Sequence, residues 1–393
     1  MRVMVINSGS SSIKFQVIDT RERTSLCKGL AERIGLDEGM FHFTKTGEEK
    51  DSREVEIPDH KAGIALIHEA LAGIEEIEAV GHRMVLGGED IRDAVLLDPS
   101  IVKIIEKYTP LAPLHNPPTL SGYRAAEEIF SSIPHVGVFD TAFHSTIEPK
   151  AYVYPLAYKY YREHGIRRFG YHGTSHKYVA LKAAEILDKP AEEFNCVTCH
   201  LGNGSSITAV KGGRSVDTSL GFGTMCGIPM GTRAGDFDPD IVLYLIDRIG
   251  MSPAEVKELI YKKSGLKGIS GISNDVRDID TAAQEGNERA KLALEILAHY
   301  GRKTIAAMAA SMMAPLHAVI FTAGIGENQF SVREDMCRGL EFMGVRIDPE
   351  RNRNVRTEAV VSEPGSPVAV CVIPTNEELM IALDTERIVT SKR

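Results

Sequence analysis

The sequence predicts an α/β protein built as two copies of one unit, and three observations predict it. Apolar runs with strand character alternate along the whole chain with stretches of helical period. Two strand–turn–strand segments of one kind stand far apart: Val3–Ile6 runs into Asn7-Ser-Gly-Ser-Ser-Ser12, and Cys196–Leu201 into Gly202-Asn-Gly-Ser-Ser206. The length, 393 residues, suits two domains that each bury a core. A turn this rich in Gly, Ser and Asn presents backbone N–H groups and short hydroxyls to one point, which suits an anion such as a phosphoryl group. Two such turns point to a duplicated fold closing around a nucleotide.

In the first half, strands are expected at 2–7 and 13–19, on either side of the first polar turn, with further short strands to about 57. Asp59–Ala72 has helical period, and Ile77–Arg83 returns as a strand ending on Gly81-His82-Arg83. A helix is expected over 117–130, then a buried strand, His135–Phe139, with Asp140 at its exit. The second half repeats this order. A helix over 174–187 opens behind His172-Gly173, two strands flank Asn203, and another covers 214–218. Helices follow at 239–248, 253–263 and 287–314, then a strand from Val319 to Thr322 that enters a glycine loop at Gly324-Ile-Gly326 and another helix start. A strand at 368–373 and a terminal helix complete the pattern. The expected division is an N-terminal domain, 1–145, and a C-terminal nucleotide-binding domain, 146–377. The C-terminal helix, about 378–393, is a candidate to pack back on the first.

Composition excludes several classes. A net charge of −9 without a basic run argues against nucleic acid as a partner. No signal-peptide pattern opens the chain, and six scattered cysteines form no disulfide framework, so a reducing cytoplasm is expected. Ile305–Gly324 is nearly all apolar, but Ser311, Pro315 and His317 interrupt it. It reads as a buried helix ending near Ala314 and a strand from Ala318, not a membrane span.

The chemistry-bearing residues form a consistent set. No Walker loop and no Gly-x-Gly-x-x-Gly occurs, which disfavours the folds those motifs mark. Two arginines sit among glycines, Arg83 in Gly81-His-Arg and Arg233 in Met230-Gly-Thr-Arg-Ala-Gly235. A guanidinium fork there suits carboxylate or phosphate. Asp140 leaves a strand where open sheets place their ligands, and Glu377 follows the last strand as a metal-side carboxylate or a first-turn helix acid. Asp236, Asp238 and Asp240 imitate a calcium loop, but its Gly and Glu are missing, and Asp238-Pro239 reads as a helix cap. His172 and His176 have metal spacing without a third ligand, so contact between His172 and an anion is the better functional reading, with a structural role beside it. Cys196-x-x-Cys199-His200 imitates a haem or redox motif inside a strand, where buried structural cysteines are the simpler reading.

Taken together, the chain resembles the acetate/propionate/butyrate kinase family of the actin–hexokinase–Hsp70 superfamily over essentially its whole length. The resemblance rests on Asn7-Ser-Gly-Ser-Ser-Ser-Ile-Lys14, Gly81-His-Arg83, His115-Asn-Pro117, Phe139-Asp-Thr-Ala-Phe-His144, His172-Gly-Thr-Ser-His176, His200-Leu-Gly-Asn-Gly204, Met230-Gly-Thr-Arg233, Ala323-Gly-Ile-Gly-Glu-Asn328 and Pro374-Thr-Asn-Glu-Glu378. It implies two duplicated actin/hexokinase-like (ribonuclease H-like) domains, a homodimer, and reversible Mg2+-dependent phosphoryl transfer from ATP to a short carboxylate, with Mn2+ as an alternative ion. It implies Arg83, Asp140, His172 and Arg233 as catalytic residues, with Asn7 and Glu377 beside the metal and phosphates. The nucleotide would meet Lys14, His200, Gly202, Asn203, Gly204, Asp275, Val276, Arg277, Gly324, Ile325, Gly326 and Asn328, and the acceptor Arg83, Val85, Leu114, Tyr171 and Thr224. Val85 fits an acetate-sized pocket, with propionate or another small acid as the alternative. Tyr171, Leu86, Val276 and the segment 221–230 depart from the family's usual residues. A distant alternative is a non-catalytic nucleotide sensor of the same fold.

Overall fold

The computed structural model describes residues 1–74 and 76–391, so positions 392–393 of the expected terminal helix lie outside the described residues. Contacts divide the chain into two units, Met1–Ser145 with the segment from Asn376 onward, and Thr146–Thr375.

The first unit is an eight-stranded sheet of β1 (Arg2–Ser8), β2 (Ser12–Asp19), β3 (Thr24–Glu32), β4 (Met40–Lys45), β5 (Asp51–Glu54), β6 (Ala79–Met84), β7 (Val95–Leu96) and β8 (His135–Phe139). Its order is β5-β4-β3-β2-β1-β6-β8-β7. Alternation puts Met4 and Ile6 of β1 and Ile13, Phe15 and Val17 of β2 on one face, buried with Ile64 and Ile67 of helix His60–Ala70 and Ala125 and Ala126 of helix Asn116–Ile129. The first helix starts at His60 because the Asp59 carboxylate accepts from the Ala62 amide at 2.8 Å. Helix Glu377–Thr390 packs against β1, β6 and β8. Gly81 permits that approach: a Cβ there would lie 2.5 Å from Thr385 Oγ1 and 2.9 Å from Ile381 Cγ2.

The second unit holds β9 (Asn195–Leu201), β10 (Ser205–Lys211), β11 (Arg214–Thr218), β12 (Ala318–Thr322), β13 (Ala359–Val360) and β14 (Ala369–Val372), in the order β11-β10-β9-β12-β14-β13. Its core gathers Val197, Cys199 and Leu201 of β9 with Leu297, Ile305 and Met308 of helix Glu288–Ser311 and with Val319 and Phe321 of β12. Helix Gly173–Ile186 packs on β9 and β12.

The duplication is explicit in the topology. Each unit has an antiparallel three-stranded meander, β3-β2-β1 or β11-β10-β9, extended by two parallel strands, β6-β8 or β12-β14. Helix Gly173–Ile186 lies within the continuous segment of the second unit, whereas helix Glu377–Thr390 comes after β14 yet belongs to the first.

Three expectations require correction. The helix expected after the glycine loop begins earlier, directly at the end of β12, so that Gly324-Ile-Gly326 lies inside helix Ala323–Asn328, with Ala323 at φ 64°. The long helix stops at Ser311, short of Ala314, as Met313 turns to φ 48° ahead of Pro315. Helices Pro99–Tyr108 and Val276–Gln284 were not expected, although Asp98 caps the first, accepting from the Ser100 and Ile101 amides, and Asp275 the second, accepting from the Arg277 amide.

Candidate active site

In the first unit, β1, β6 and β8 lie side by side and parallel, with Ile6 opposite His82 and Met84 opposite Phe139. Their carboxyl ends therefore bring Asn7, Arg83 and Asp140 together, and the first turn of helix Glu377–Thr390 adds Glu377. Arg83 Nη2 bonds to Asp140 Oδ2 at 2.5 Å, Nη1 donates to Asn7 Oδ1 at 3.4 Å, and Nε lies 3.8 Å from Glu377 Oε2. Burial pushes the Asp140 carboxyl up, against the lowering effect of Arg83. Glu377 is pushed up to about 7, first by burial and then by the Asp140 charge, again opposed by Arg83. Asp140 Oδ1 and Arg83 Nε are buried without a hydrogen-bond partner. One guanidinium thus faces two buried carboxylates, the charge of Asp140 raising the proton affinity of Glu377, and an oxygen and a nitrogen remain unspent.

This donor set fits a hard divalent cation, because a cation beside Asp140 Oδ1 and Glu377 would relieve both anomalies. Among the described residues no group of three or more His, Cys, Asp or Glu forms a metal cage.

Behind this cluster, Asn116 is buried and clamps the segment after β6. Its Nδ2 donates to the Leu86 and Ile105 carbonyls at 3.1 and 3.2 Å, and its Oδ1 accepts from the Leu86 amide at 3.3 Å. Val85 is buried beside it, whereas Leu114 is 79% exposed. Lys14 lines a cavity of about 380 Å³ with Asn7 and Glu378.

In the second unit, Arg233 lies over the Asn203–Gly204 turn. A Cβ on Gly204 would stand 2.8 Å from Arg233 Nη2, so a larger residue there would make the guanidinium shift. Arg233 Nη1 donates to the Thr224 carbonyl at 2.6 Å, and among the described residues no carboxylate pairs with it. Burial lowers its pKa, so the charge is held partly dehydrated with one neutral acceptor, a state that an anion would relieve. Tyr171 is buried, its hydroxyl donating to the Phe222 carbonyl at 3.0 Å.

His172 precedes helix Gly173–Ile186 at φ 58°, a left-handed conformation rare for a non-glycine residue, and its ring stacks on His200 with centroids 4.2 Å apart. Ser206 Oγ bridges His172 Nδ1 at 2.8 Å and His176 Nε2 at 2.7 Å, while His176 Nδ1 meets Thr198 Oγ1 at 2.7 Å. Ser175 Oγ holds His200 Nδ1 at 2.8 Å. The His172/His176 spacing therefore builds a hydroxyl-linked histidine array.

A cavity of about 500 Å³ is lined by Gly202, Asn203, Asp275, Val276, Arg277, Gly324, Ile325 and Asn328, together with Asn274 and Gln329. Eight expected nucleotide residues thus converge. Gly204, His200 and Gly326 do not line it: Gly204 lies under Arg233, His200 is in the histidine stack, and Gly326 packs toward Phe321 and Cys199. Arg277 grips Asp275, with Nη2 to Oδ2 at 2.5 Å, and holds that carboxyl down at about 2. At the helix after β12, the Ala323 amide is taken by Glu327 Oε1 at 2.8 Å, and the same oxygen accepts from the Thr375 amide at 3.2 Å. The C-terminal end is held by Arg333, buried at 1% exposure, whose Nη1 donates to the Gly326 and Glu327 carbonyls, both at 2.9 Å. Its Nε and Nη2 reach Asn352 Oδ1 and O at 2.7 and 2.8 Å.

Sequence reasoning missed Asn116, Ser206, Glu327 and Arg333 as supports of the site. For Arg333 the available signal was an arginine three residues into an otherwise apolar helix face, with Val332 and Met336 as neighbours. The cysteine motif is structural. Cys196 and Cys199 are separated by an odd number along β9 and so face opposite sides of the sheet, and burial raises both thiols. All six cysteines are free thiols, and among the described residues no helix is long and apolar enough to cross a membrane.

A twofold meander-plus-parallel sheet, each copy carrying a phosphate-sized turn and an arginine, defines a phosphotransferase-type member of the actin–hexokinase–Hsp70 superfamily. More particularly, the chain belongs to the acetokinase family, whose model matches residues 2–383. It is 50% identical to the acetate kinase of Caldanaerobacter subterraneus subsp. tengcongensis, with 99% of each chain covered. It is also 50% identical to that of Thermotoga maritima, again with 99% of each covered. Among solved structures it is similar to acetate kinase from Porphyromonas gingivalis (TM-score 0.95, 42% identity, 99% of each chain). It is also similar to a propionate kinase from Francisella tularensis (TM-score 0.91, 39% identity, 98% of this chain and 99% of that one).

Proposed function

We propose that this chain transfers the γ-phosphoryl group of ATP to the carboxylate of acetate, giving acetyl phosphate and ADP, reversibly and with Mg2+. The observation that carries this reading is the pair of arginines with unspent capacity. Arg83 keeps a buried Nε without a hydrogen-bond partner, and Arg233 donates to the Thr224 carbonyl and, among the described residues, pairs with no carboxylate. A carboxylate acceptor is ionised at neutral pH, so no general base is needed. What the reaction does need is to bring two anions together in line, which is a matter of charge neutralisation and positioning.

In this reading the Arg83 fork receives the acetate carboxylate, and Asp140 fixes the fork's orientation through its 2.5 Å bond. Arg233 and His172 donate to the phosphoryl oxygens as charge spreads over them, with Ser206 keeping the His172 ring in place. The ADP portion occupies the cavity between Gly202–Asn203, Asp275–Arg277 and Gly324–Asn328. Asn7, Asp140 and Glu377 would hold Mg2+, which when bound supplies charge neutralisation for the phosphates. Buried Val85 limits the acceptor to a short acid. A methylene more or less there is worth about 1–3 kcal/mol, so acetate is preferred over propionate without excluding it. We further infer a cytoplasmic homodimer, in line with the reading of the sequence.

Hydroxamate detection of acyl phosphate with acetate, propionate and butyrate side by side tests the assignment. Wild type forms acetyl phosphate fastest, and R83A and R233A lose turnover by orders of magnitude while staying folded. A folded R83A or R233A with full turnover would refute the arginine roles.

A further inference from the structure

A second cavity of the Thr146–Thr375 unit, about 380 Å³, is lined by Arg333, Arg353, Arg356, Glu327, Phe330 and Pro374 among others. It is not the nucleotide cavity, with which it shares only Asn328. We propose that this cavity binds a compact oxyanion carrying two or more negative charges, an oligophosphate or a small polycarboxylate.

Three guanidiniums converge here, and among the described residues none of them is paired with a carboxylate. Arg333 is locked onto backbone carbonyls and Asn352. Arg353 lies over the Phe330 ring, 5.2 Å from its centroid, which fixes its plane and leaves its charge unneutralised. Arg356 spends Nη1 on the Val355 carbonyl at 3.0 Å and the Arg353 carbonyl at 3.5 Å. Nearby cations behave differently: Arg351 pairs with Asp348, and Lys182 with Glu358. The one acid of the lining, Glu327, is turned onto the Ala323 and Thr375 amides. The lining therefore carries three formal positive charges against one negative, around a volume equal to roughly a dozen waters. Planar forks in such a hollow match the paired oxygens of phosphate or carboxylate. Burial also lowers Arg333 to about 10, the direction expected of a cation kept without a counter-ion.

The test is calorimetric titration of the full chain with pyrophosphate and, separately, tricarballylate, at constant ionic strength, without Mg2+ and with ADP at saturation. Wild type should bind at least one of them saturably at one site, and the tighter of the two identifies the ligand's source. R353A/R356A, altered at two exposed positions outside the catalytic machinery, should bind about ten-fold or more weakly with unchanged turnover and circular dichroism. Absence of saturable binding in wild type, equal affinity in the double variant, or binding that ADP abolishes would each overturn the proposal.

Discussion

Replacing Arg333 by Met tests whether the short helix that borders the cavity proposed for the nucleotide is held from behind. Arg333 donates to four acceptors, the carbonyls of Gly326, Glu327 and Asn352 and the side-chain oxygen of Asn352, at 2.7–2.9 Å. Hydrogen bonds to a charged group contribute about 1.5–3 kcal/mol each. Taking the low end gives about 6–8 kcal/mol for the set. Against this stands the cost of keeping the cation dry: a guanidinium lowered to about 10 from 12.5 corresponds to about 3 kcal/mol. A neutral thioether avoids that cost but leaves buried carbonyls unpaired, so R333M should lose on the order of 3–5 kcal/mol, in the range seen when buried polar networks lose one member. The loss falls on Gly324–Asn328, so the KM for ATP should rise more than kcat falls. R333K, a point charge without the fork, should lie between the two. Urea unfolding followed by far-ultraviolet circular dichroism, with steady-state kinetics beneath the transition, reads both effects. An R333M protein that unfolds at the wild-type midpoint with an unchanged KM would refute the reasoning.

Three further outcomes are expected. S206A removes the hydroxyl shared by His172 and His176 and should lower kcat by about ten- to a hundred-fold with little change in the KM for ATP, while S206T recovers part of it; equal kcat in S206A and wild type would count against a positioned His172. His82 is fully buried against His135 at 2.9 Å, and burial holds its pKa well below 6.5. Below pH 6.5 the unfolded chain takes up a proton that the folded one refuses, so stability present above that pH falls as pH drops, by up to about 1.4 kcal/mol per pH unit. The slope between pH 6.5 and 5.5 should flatten in H82Q, and parallel slopes would remove His82 as a source. C199A should cost some stability and leave kcat near wild type, since its thiol faces a dry core; a large loss of kcat in folded protein would give that sulfur a chemical role.

How much of this was readable in the chain depends on whether the signal was local. The two polar turns, the strands around them and the exits at Asp140 and Glu377 are local patterns, and the α/β duplication followed from them. Eight residues named from sequence for the nucleotide do line one cavity. What escaped is what only packing creates. Nothing near Gly81 says that its missing side chain admits Thr385, some three hundred residues on. Gly324-Ile-Gly326 read as a loop ahead of a helix, not as part of it, because glycine lowers helix propensity, a preference overridden by the Glu327 and Arg333 anchors of helix Ala323–Asn328. Gly326 and His200, expected at the nucleotide, are instead turned into packing and into the histidine stack. Leu114, expected against the acceptor, is mostly in water within its own unit.

The returning C-terminal helix bears on how such a chain is made. The sheet that begins at Arg2 keeps one face bare until residues past Asn376 have been synthesised, for its covering helix is encoded there. Glu377 arrives with that same helix. An amino-terminal fragment of 145 residues would therefore lack both a lid for its apolar strands and a member of its charged cluster, and a nascent chain must hold its first half in waiting until its last segment is released.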